Sequence, residues 1–539
     1  MNINAILYED GVFFYLRIMK KFLFICLLIN YIGFQSKAQN QLVSEGNYFE
    51  GEPYLVMNPT NSQHLVAAWM GFQFNNKVVI KTSITNDGGN TWSTPIWQTH
   101  LSPNFSSADV SLAYDHMGNV FMCYIDYDNI NFSAGKVLVR KSIDGGVSWG
   151  NASIVLDISM CPNQLCIDRP WMVIDQTTGP NAGTIYVTNM NADQPTIITP
   201  PYHPYISIST DGGQSFQSEQ LDATGFLSGS VIPQPMPSPV VKADGRFTAL
   251  YPSYLPSQSV FPRLIRAQSN NQGQTYTYDV AYQGLGYGTS DTLVKAGPLL
   301  KAHPNNANQI SYFFLSDDFG ESDVVFIETT NDGLSWSAPA RINQDPIGNG
   351  KIQDLIWADY ASNGDLAVCW RDRRNANGTG YSVPSELFCT VRNSTTSIWM
   401  NDFSVSDQLV DHLPILEDAG NDFMNVILEN DTLNVIWGDV RSGSLKIYFC
   451  KRGIYDTTNH VSSLPEPERI VFPNPVSTEL SIPNEFIGAD FYLMTTEGKS
   501  IQNGKIESSM IPFETIPAGA YQLLIISPQK RYQYHLIKH

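Results

Sequence analysis

The chain has 539 residues, with 32 Lys and Arg against 51 Asp and Glu, and its net charge of −19 excludes nucleic acid and anionic membrane surfaces as partners. Only 15% of residues are charged and 12% are aromatic, with 39 Gly and 32 Pro, a profile of many short strands and turns that argues against a helical protein. The length leaves ample chain for a large core.

Near the N-terminus, Met19-Lys20-Lys21 precedes an apolar run over 22–34 and then Ser36-Lys37-Ala38, the basic, apolar and small-residue succession of a secretory leader. Residues 1–38 are expected to be removed, with Met19 as the effective start, because Glu9 and Asp10 do not suit a basic leader. The run is too short for a bilayer and no other approaches 18 apolar residues, so no transmembrane anchor is expected. Cys26 lies inside the run rather than after it, which argues against a lipoprotein anchor. Past the leader, six cysteines remain: Cys123, Cys161, Cys166, Cys369, Cys389 and Cys450. An even number in an exported chain permits disulfides. Cys161 and Cys166 are close enough in a loop to pair, and Cys369 and Cys389 fall on neighbouring predicted strands.

Residues 39–457 carry two interleaved repeats. The first reads Thr85-Asn86-Asp87-Gly88-Gly89-Asn90-Thr91-Trp92, Ser142-Ile143-Asp144-Gly145-Gly146-Val147-Ser148-Trp149 and Ser209-Thr210-Asp211-Gly212-Gly213-Gln214-Ser215-Phe216. Ser269 to Tyr276 repeats it with Asn271 for Asp, Thr330 to Trp336 repeats it one residue short through Asp332, and the stretch ending at Trp399 has lost both Asp and Gly. A short polar side chain can bond the backbone of a tight turn, glycine accepts positive φ, and the aromatic packs into the sheet that the hairpin closes. Asp87, Asp144, Asp211 and Asp332 therefore read as structural.

The second repeat is a short apolar strand about 20 residues earlier, over 65–69, 120–124, 185–189, 247–251, 310–314, 366–370 and 433–437. Seven such strands, 55 to 67 residues apart, leave room for four strands per unit. The seventh unit has no fourth strand, and residues around Gln41 to Gly46 are free to supply it, which would close a ring and remove its edges. The fold class is all-β: a seven-bladed β-propeller, with six blades as the alternative.

These turn motifs resemble the Asp box of sialidase-like β-propellers, where the box lies on the face away from the ligand site. The resemblance implies a fold strongly and a function weakly. Sialidases hold a substrate carboxylate with three arginines, the first in an Arg-Ile-Pro motif. Here that stretch is Glu52-Pro53-Tyr54, so whether the chain is an enzyme stays open, with Tyr360, beside Asp359, as one nucleophile candidate.

The opposite face gathers the polar residues. Leaving the second strands are Asp126, Asp372 with Arg374, and Asp439 with Arg441, and entering the inner strands are Glu52, Asp109, Asp168-Arg169, Asp359 and Asp422. Arg169 is the leading ligand contact, with Trp171 beside it as a platform for a sugar ring. Such recurrence also suits structural ion pairs copied from unit to unit. No cofactor is indicated and no metal site is seen, while a structural Ca2+ stays open. The partner expected is an extracellular glycan or glycoprotein, with an exo-α-sialidase, another glycoside hydrolase and a non-catalytic adhesion propeller as alternatives.

A linker over 458–468, containing Pro465-Glu466-Pro467-Glu468, leads into 469–539. There Val471-Phe472-Pro473-Asn474-Pro475-Val476, Thr496-Glu497-Gly498-Lys499 and Ala518-Gly519-Ala520-Tyr521 precede a basic last strand. In this order the segment resembles the C-terminal sorting domain of type IX secretion cargo in Bacteroidota, a small Ig-like β-sandwich. The resemblance implies engagement of that secretion machinery and a secreted or outer-surface location.

Overall fold

Apolar runs buried along their whole length set the architecture. In a computed structural model that describes residues 40–46, 49–72, 77–128, 130–284, 294–295, 297–412, 421–455, 473–495, 499–526 and 531–539, strands Ile185–Met190, Phe247–Ser253, Ile310–Ser316 and Leu366–Asp372 are buried at every position. A strand covered on both faces lies inside a stack of sheets, since a sheet with one wet face would alternate. The expected leader over 1–38 and linker over 458–468 lie outside the described residues.

The chain divides into two compact units, Met1–Thr458 and Asn459–His539. The first contains seven four-stranded antiparallel sheets whose first strands are Glu50–Asn58, Ser106–Tyr114, Asp168–Ile174, Ser238–Val241, Leu299–Ala302, Gln353–Tyr360 and Asn425–Glu429. They are called sheets one to seven. Their first strands touch in cyclic order, and that of sheet seven touches that of sheet one. Sheet seven takes its fourth strand from the start of the chain, with Gln41–Leu42 antiparallel to Lys446–Gly453. The protein is all-β, and the arrangement is consistent with a β-propeller.

The second unit has its own core around Leu493, Phe513 and Leu523. Its four-stranded sheet runs Ser500–Lys505, Asp490–Thr495, Gly519–Ile526 and Arg531–Lys538, beside the pair Glu479–Ser481 and Met510–Pro512. No helix among the described residues is long and apolar enough to cross a membrane. Cys161 is bonded to Cys166, and Cys369 to Cys389 directly across two strands of sheet six, while Cys123 and Cys450 are buried thiols.

The turn motifs satisfy themselves. Ser142 Oγ donates to Asp144 Oδ1 at 2.7 Å and accepts from Gly146 N at 2.8 Å, and Asp144 Oδ1 accepts from Ser148 N at 2.9 Å. Asp87 and Asp211 repeat this pattern. These bonds hold the three carboxyls below the usual carboxylate range, hydrogen bonds from Thr91, Ser148 and Ser215 being the largest cause. The aromatic that follows docks on the preceding sheet: Trp149 Nε1 donates to Thr82 Oγ1 of sheet one, and Trp92 stacks edge-on against Phe449 of sheet seven. Asp144→Ala should lower the urea midpoint by an amount worth about 1 kcal/mol, since the turn is exposed and water can replace the lost bonds.

Asp332 departs from the sequence reading. The fifth motif is full length and starts one residue earlier: Thr329 Oγ1 donates to Asn331 Oδ1, Gly333 N donates to Thr329 Oγ1, and Ser335 N donates to Asn331 Oδ1. Asn331 is therefore the turn residue, and its amide donates to Ser335 Oγ at 2.8 Å where Asp144 accepts from Ser148. Asp332 sits one position on at φ 59° and reaches back to sheet four, pairing with Lys242, Arg246 and Arg266. It ties two sheets together.

Candidate functional site

A repeated bulge builds the site. Near the start of the first strand, sheets one, two, three and six each slip register, between Gly51 and Tyr54, Ala108 and Ser111, Asp168 and Trp171, and Asp354 and Trp357. At each slip one residue takes positive φ: Glu52 at 53°, Asp109 at 53°, Arg169 at 46° and Leu355 at 56°. Such φ values are unfavourable for residues with a Cβ. The bulge turns the side chains of Glu52, Asp109 and Arg169 into one cavity of about 740 Å³, which Asp168, Asp422 and Lys295 also line.

Four carboxyl groups thus meet two cations. Arg169 N donates to Asp109 Oδ2 at 3.0 Å and to Asp168 Oδ1 at 3.1 Å. The Arg169 guanidinium pairs with Asp422 at 3.1 Å and lies 5.2 Å from the centre of the Phe423 ring, and Lys295 Nζ is 2.8 Å from the other Asp422 oxygen. Burial and the neighbouring Asp109 push the Glu52 and Asp168 carboxyls well above the usual carboxylate range. Asp422 is held low by Arg169 and Lys295, which outweigh its burial. Tyr127, on the wall, is raised to about 12 by burial and then by Asp109, Asp168 and Glu52. Among the described residues no group of three or more His, Cys, Asp or Glu is arranged to hold a metal ion.

The cavity gathers Glu52, Asp109, Asp168, Arg169 and Asp422 and leaves the other sequence candidates elsewhere. Trp171 is half-buried, packs against Tyr54, Trp357 and Phe423 at centroid distances of 5.1 to 5.8 Å and lines a separate cavity of about 110 Å³ with them. Asp126 is fully buried and binds His100 Nδ1 and Leu101 N, both at 2.7 Å, which fastens the loop entering sheet two. Asp372 and Asp439 accept the indole N–H of Trp370 and Trp437 at 2.6 and 3.0 Å and pair with Arg374 and Arg441. Those arginines lie over Phe388 and Tyr448 at 4.2 and 4.6 Å, and Arg441 also pairs with Asp407 on the connection from sheet six to sheet seven. Asp359 and Tyr360 end their strand and line a different cavity of about 690 Å³ beside the turn Pro59-Thr60; Tyr360 bonds Ser311 at 2.9 Å. Lys295 and the wall aromatics Phe49, Phe72, Tyr127 and Phe132 escaped the sequence reading, because strand ends and a long connection carry no repeat signature.

The raised carboxyls give a pH dependence. Glu52 and Asp168 keep protons in the folded protein that the unfolded chain releases above its ordinary carboxylate values, so folding stability falls as pH rises from there toward the folded pKa. The depressed Asp422 has the opposite sign, and its contribution is complete by about pH 5. The melting temperature should therefore decline as pH rises above about 5, and Glu52→Gln with Asp168→Asn should flatten the decline in a melting series from about pH 5 to 8.

No family model matches the chain and no curated protein matches it. Solved structures do. A Dyadobacter fermentans protein of unknown function is 14% identical over 66% of this chain and 97% of its own, with a TM-score of 0.40. The NanB sialidase of Streptococcus pneumoniae is 14% identical over 78% of this chain and 70% of its own, with a TM-score of 0.39. PorZ of Porphyromonas gingivalis, a surface component of the type IX secretion system, is 12% identical over 92% of this chain and 60% of its own, with a TM-score of 0.40. Identities this low leave function open.

Proposed function

We propose that the first unit is a secreted or surface-held, seven-bladed, sialidase-like propeller that binds extracellular glycans in the cavity around Glu52, Asp109, Asp168 and Arg169. The observation that carries the reading is the cavity itself: about 740 Å³, with convergent polar groups at its centre and aromatic side chains on its wall. Binding is favoured over hydrolysis. Both cations that line the cavity are engaged by Asp422, which leaves neither to hold a substrate carboxylate as the arginines of sialidases do. A glycan array and a panel of chromogenic glycosides, run with the full chain, test this. Capture of a defined glycan class without turnover is expected, with capture lost in the triple variant Glu52→Gln, Asp109→Asn, Asp168→Asn. Turnover that this variant abolishes would make the protein a hydrolase, and capture that it leaves intact would move the site.

The second unit serves as the type IX sorting domain in this reading, supported by its tail motifs and by its separate core. Removing 469–539 in a Bacteroidota host should strand the first unit in the periplasm. Normal surface or medium localisation would refute that assignment.

A further inference from the structure

The cavity's charges are poorly suited to an acidic ligand. Both of its cations are engaged by Asp422, Arg169 through Nη2 and Lys295 through Nζ. The Arg169 guanidinium also turns toward Phe423 and Met236, whose Sδ lies 3.6 Å from Nη1. Glu52 is 3% exposed, and its Oε2 is a buried oxygen without a hydrogen-bond partner. A buried acceptor left unmatched is unfavourable, and a donor delivered by a ligand would remove that penalty. The wall adds two aromatic pairs, Phe49 with Phe72 at 5.5 Å and Tyr127 with Phe132 at 5.3 Å. Carboxyl oxygens within an aromatic enclosure suit an ammonium group, through ionic hydrogen bonds and the negative ring faces together.

We propose that the cavity selects saccharides bearing a protonated primary amine, a free amino sugar, which donates to Glu52 Oε2 and sits against Asp109 and Asp168. This rests on the glycan-binding reading above and narrows it. Burial and the neighbouring Asp109 raise the Glu52 carboxyl well above the usual carboxylate range, which favours its protonated form and relieves repulsion from the adjacent acids. An entering ammonium supplies the same positive charge, so the proton leaves to solvent and the net charge of the site is unchanged. The groups facing Glu52 are Asp109, Asp168, Arg169, Asp422, Lys295 and Tyr127, and only the first two lack a full cationic partner.

Titration calorimetry of the full chain with a glucosamine hexamer, an N-acetylglucosamine hexamer and sialyllactose is the test, each in two buffers of different ionisation enthalpy. Expected are at least tenfold tighter binding of the glucosamine hexamer than of its acetylated counterpart, release of up to one proton per site, and an affinity that rises from pH 5 to 6.5. Glu52→Gln should erase both the preference and the proton release without moving the melting temperature at pH 5. Asp109→Asn gives a second reading if that variant is unstable. Equal or tighter binding of the acetylated hexamer, or binding of sialyllactose alone, overturns the amine preference and leaves the glycan reading standing. A lysine tripeptide or Ca2+ that displaces the glucosamine hexamer at its own concentration overturns the assignment to sugars. Failure of every glycan here and on the array overturns the function reading itself.

Discussion

Replacing Asp354 by Asn should destabilise the first unit by roughly 3 to 5 kcal/mol, the largest loss expected from any single side chain described here. Its carboxylate accepts from Arg371 Nε at 2.8 Å, Arg371 Nη2 at 2.5 Å, Arg373 Nη1 at 3.0 Å and the Tyr381 hydroxyl at 2.9 Å. Both arginines are fully buried, and Arg373 lies 4.3 Å from the centre of the Tyr381 ring. One anion therefore serves two desolvated cations. Asn preserves shape and an acceptor oxygen but removes the charge, and neither guanidinium can lose its proton instead. The two arginines, outweighing burial, hold the Asp354 carboxyl far below the usual carboxylate range. Its stabilisation is therefore present above the ordinary carboxylate pKa and is lost only as pH falls toward the folded value. Chemical denaturation at pH 7 should show the full difference between wild type and variant, and the difference should shrink in strong acid. Asp490→Asn is the control: its pair with Lys505 is exposed, at 3.8 Å, and should be worth under about 0.5 kcal/mol. Equal effects at the two positions would mean that burial is not what makes the Asp354 network matter.

Asp354 and Leu355 also mark where the sequence ceased to be readable. The turn motifs and the apolar runs were legible because each is local: a hydroxyl, an Asp or Asn and a glycine at fixed spacing bond one another, and an unbroken apolar run can only be a strand covered on both faces. The location of side chains across the ring was not local. Asp372 and Asp439 recur two residues after a Trp, a spacing that puts indole and carboxylate on the same side of a strand. That spacing announces the Trp–Asp bond, yet it looks the same whether the strand end faces a cavity or a neighbouring sheet. In sheet six the bulge carries Asp354-Leu355 where sheet three has Asp168-Arg169, so alignment by bulge puts Asp354 in register with Asp168 and sends Asp359 to the far end of its strand. The one-residue error at Asp332 has a similar origin: Thr329 and Thr330 are both hydroxyl residues, and only the bonds of Thr329 to Asn331 and Gly333 separate them.

Deleting residues 40–46 should open the ring. These residues supply the fourth strand of sheet seven, where Gln41 faces Phe449, Val43 N donates to Ile447 O at 2.9 Å and Ser44 Oγ accepts from Ile447 N at 2.9 Å. Val43 is buried with Leu55, Trp69 and Phe449 between sheets one and seven. Asn40 extends the tie to sheet six and its neighbour loop, donating to Val405 O at 3.1 Å and accepting from Asp407 N at 2.8 Å. Burial of Val43 is worth about 2 kcal/mol and each net hydrogen bond about 1 kcal/mol, so the segment should contribute roughly 4 to 6 kcal/mol. Its loss also bares the backbone of Lys446–Gly453, an edge that can pair with another chain. The shortened protein should melt several degrees lower and form concentration-dependent oligomers on size exclusion, and a synthetic peptide of residues 40–46 should restore part of the melting temperature. Val43→Ala separates the two contributions: it should lower stability by about 2 to 3 kcal/mol through lost packing while leaving the edge covered and the protein monomeric. If the deletion leaves both melting and oligomeric state unchanged, the sheet does not depend on its N-terminal strand and the ring closes by some other contact.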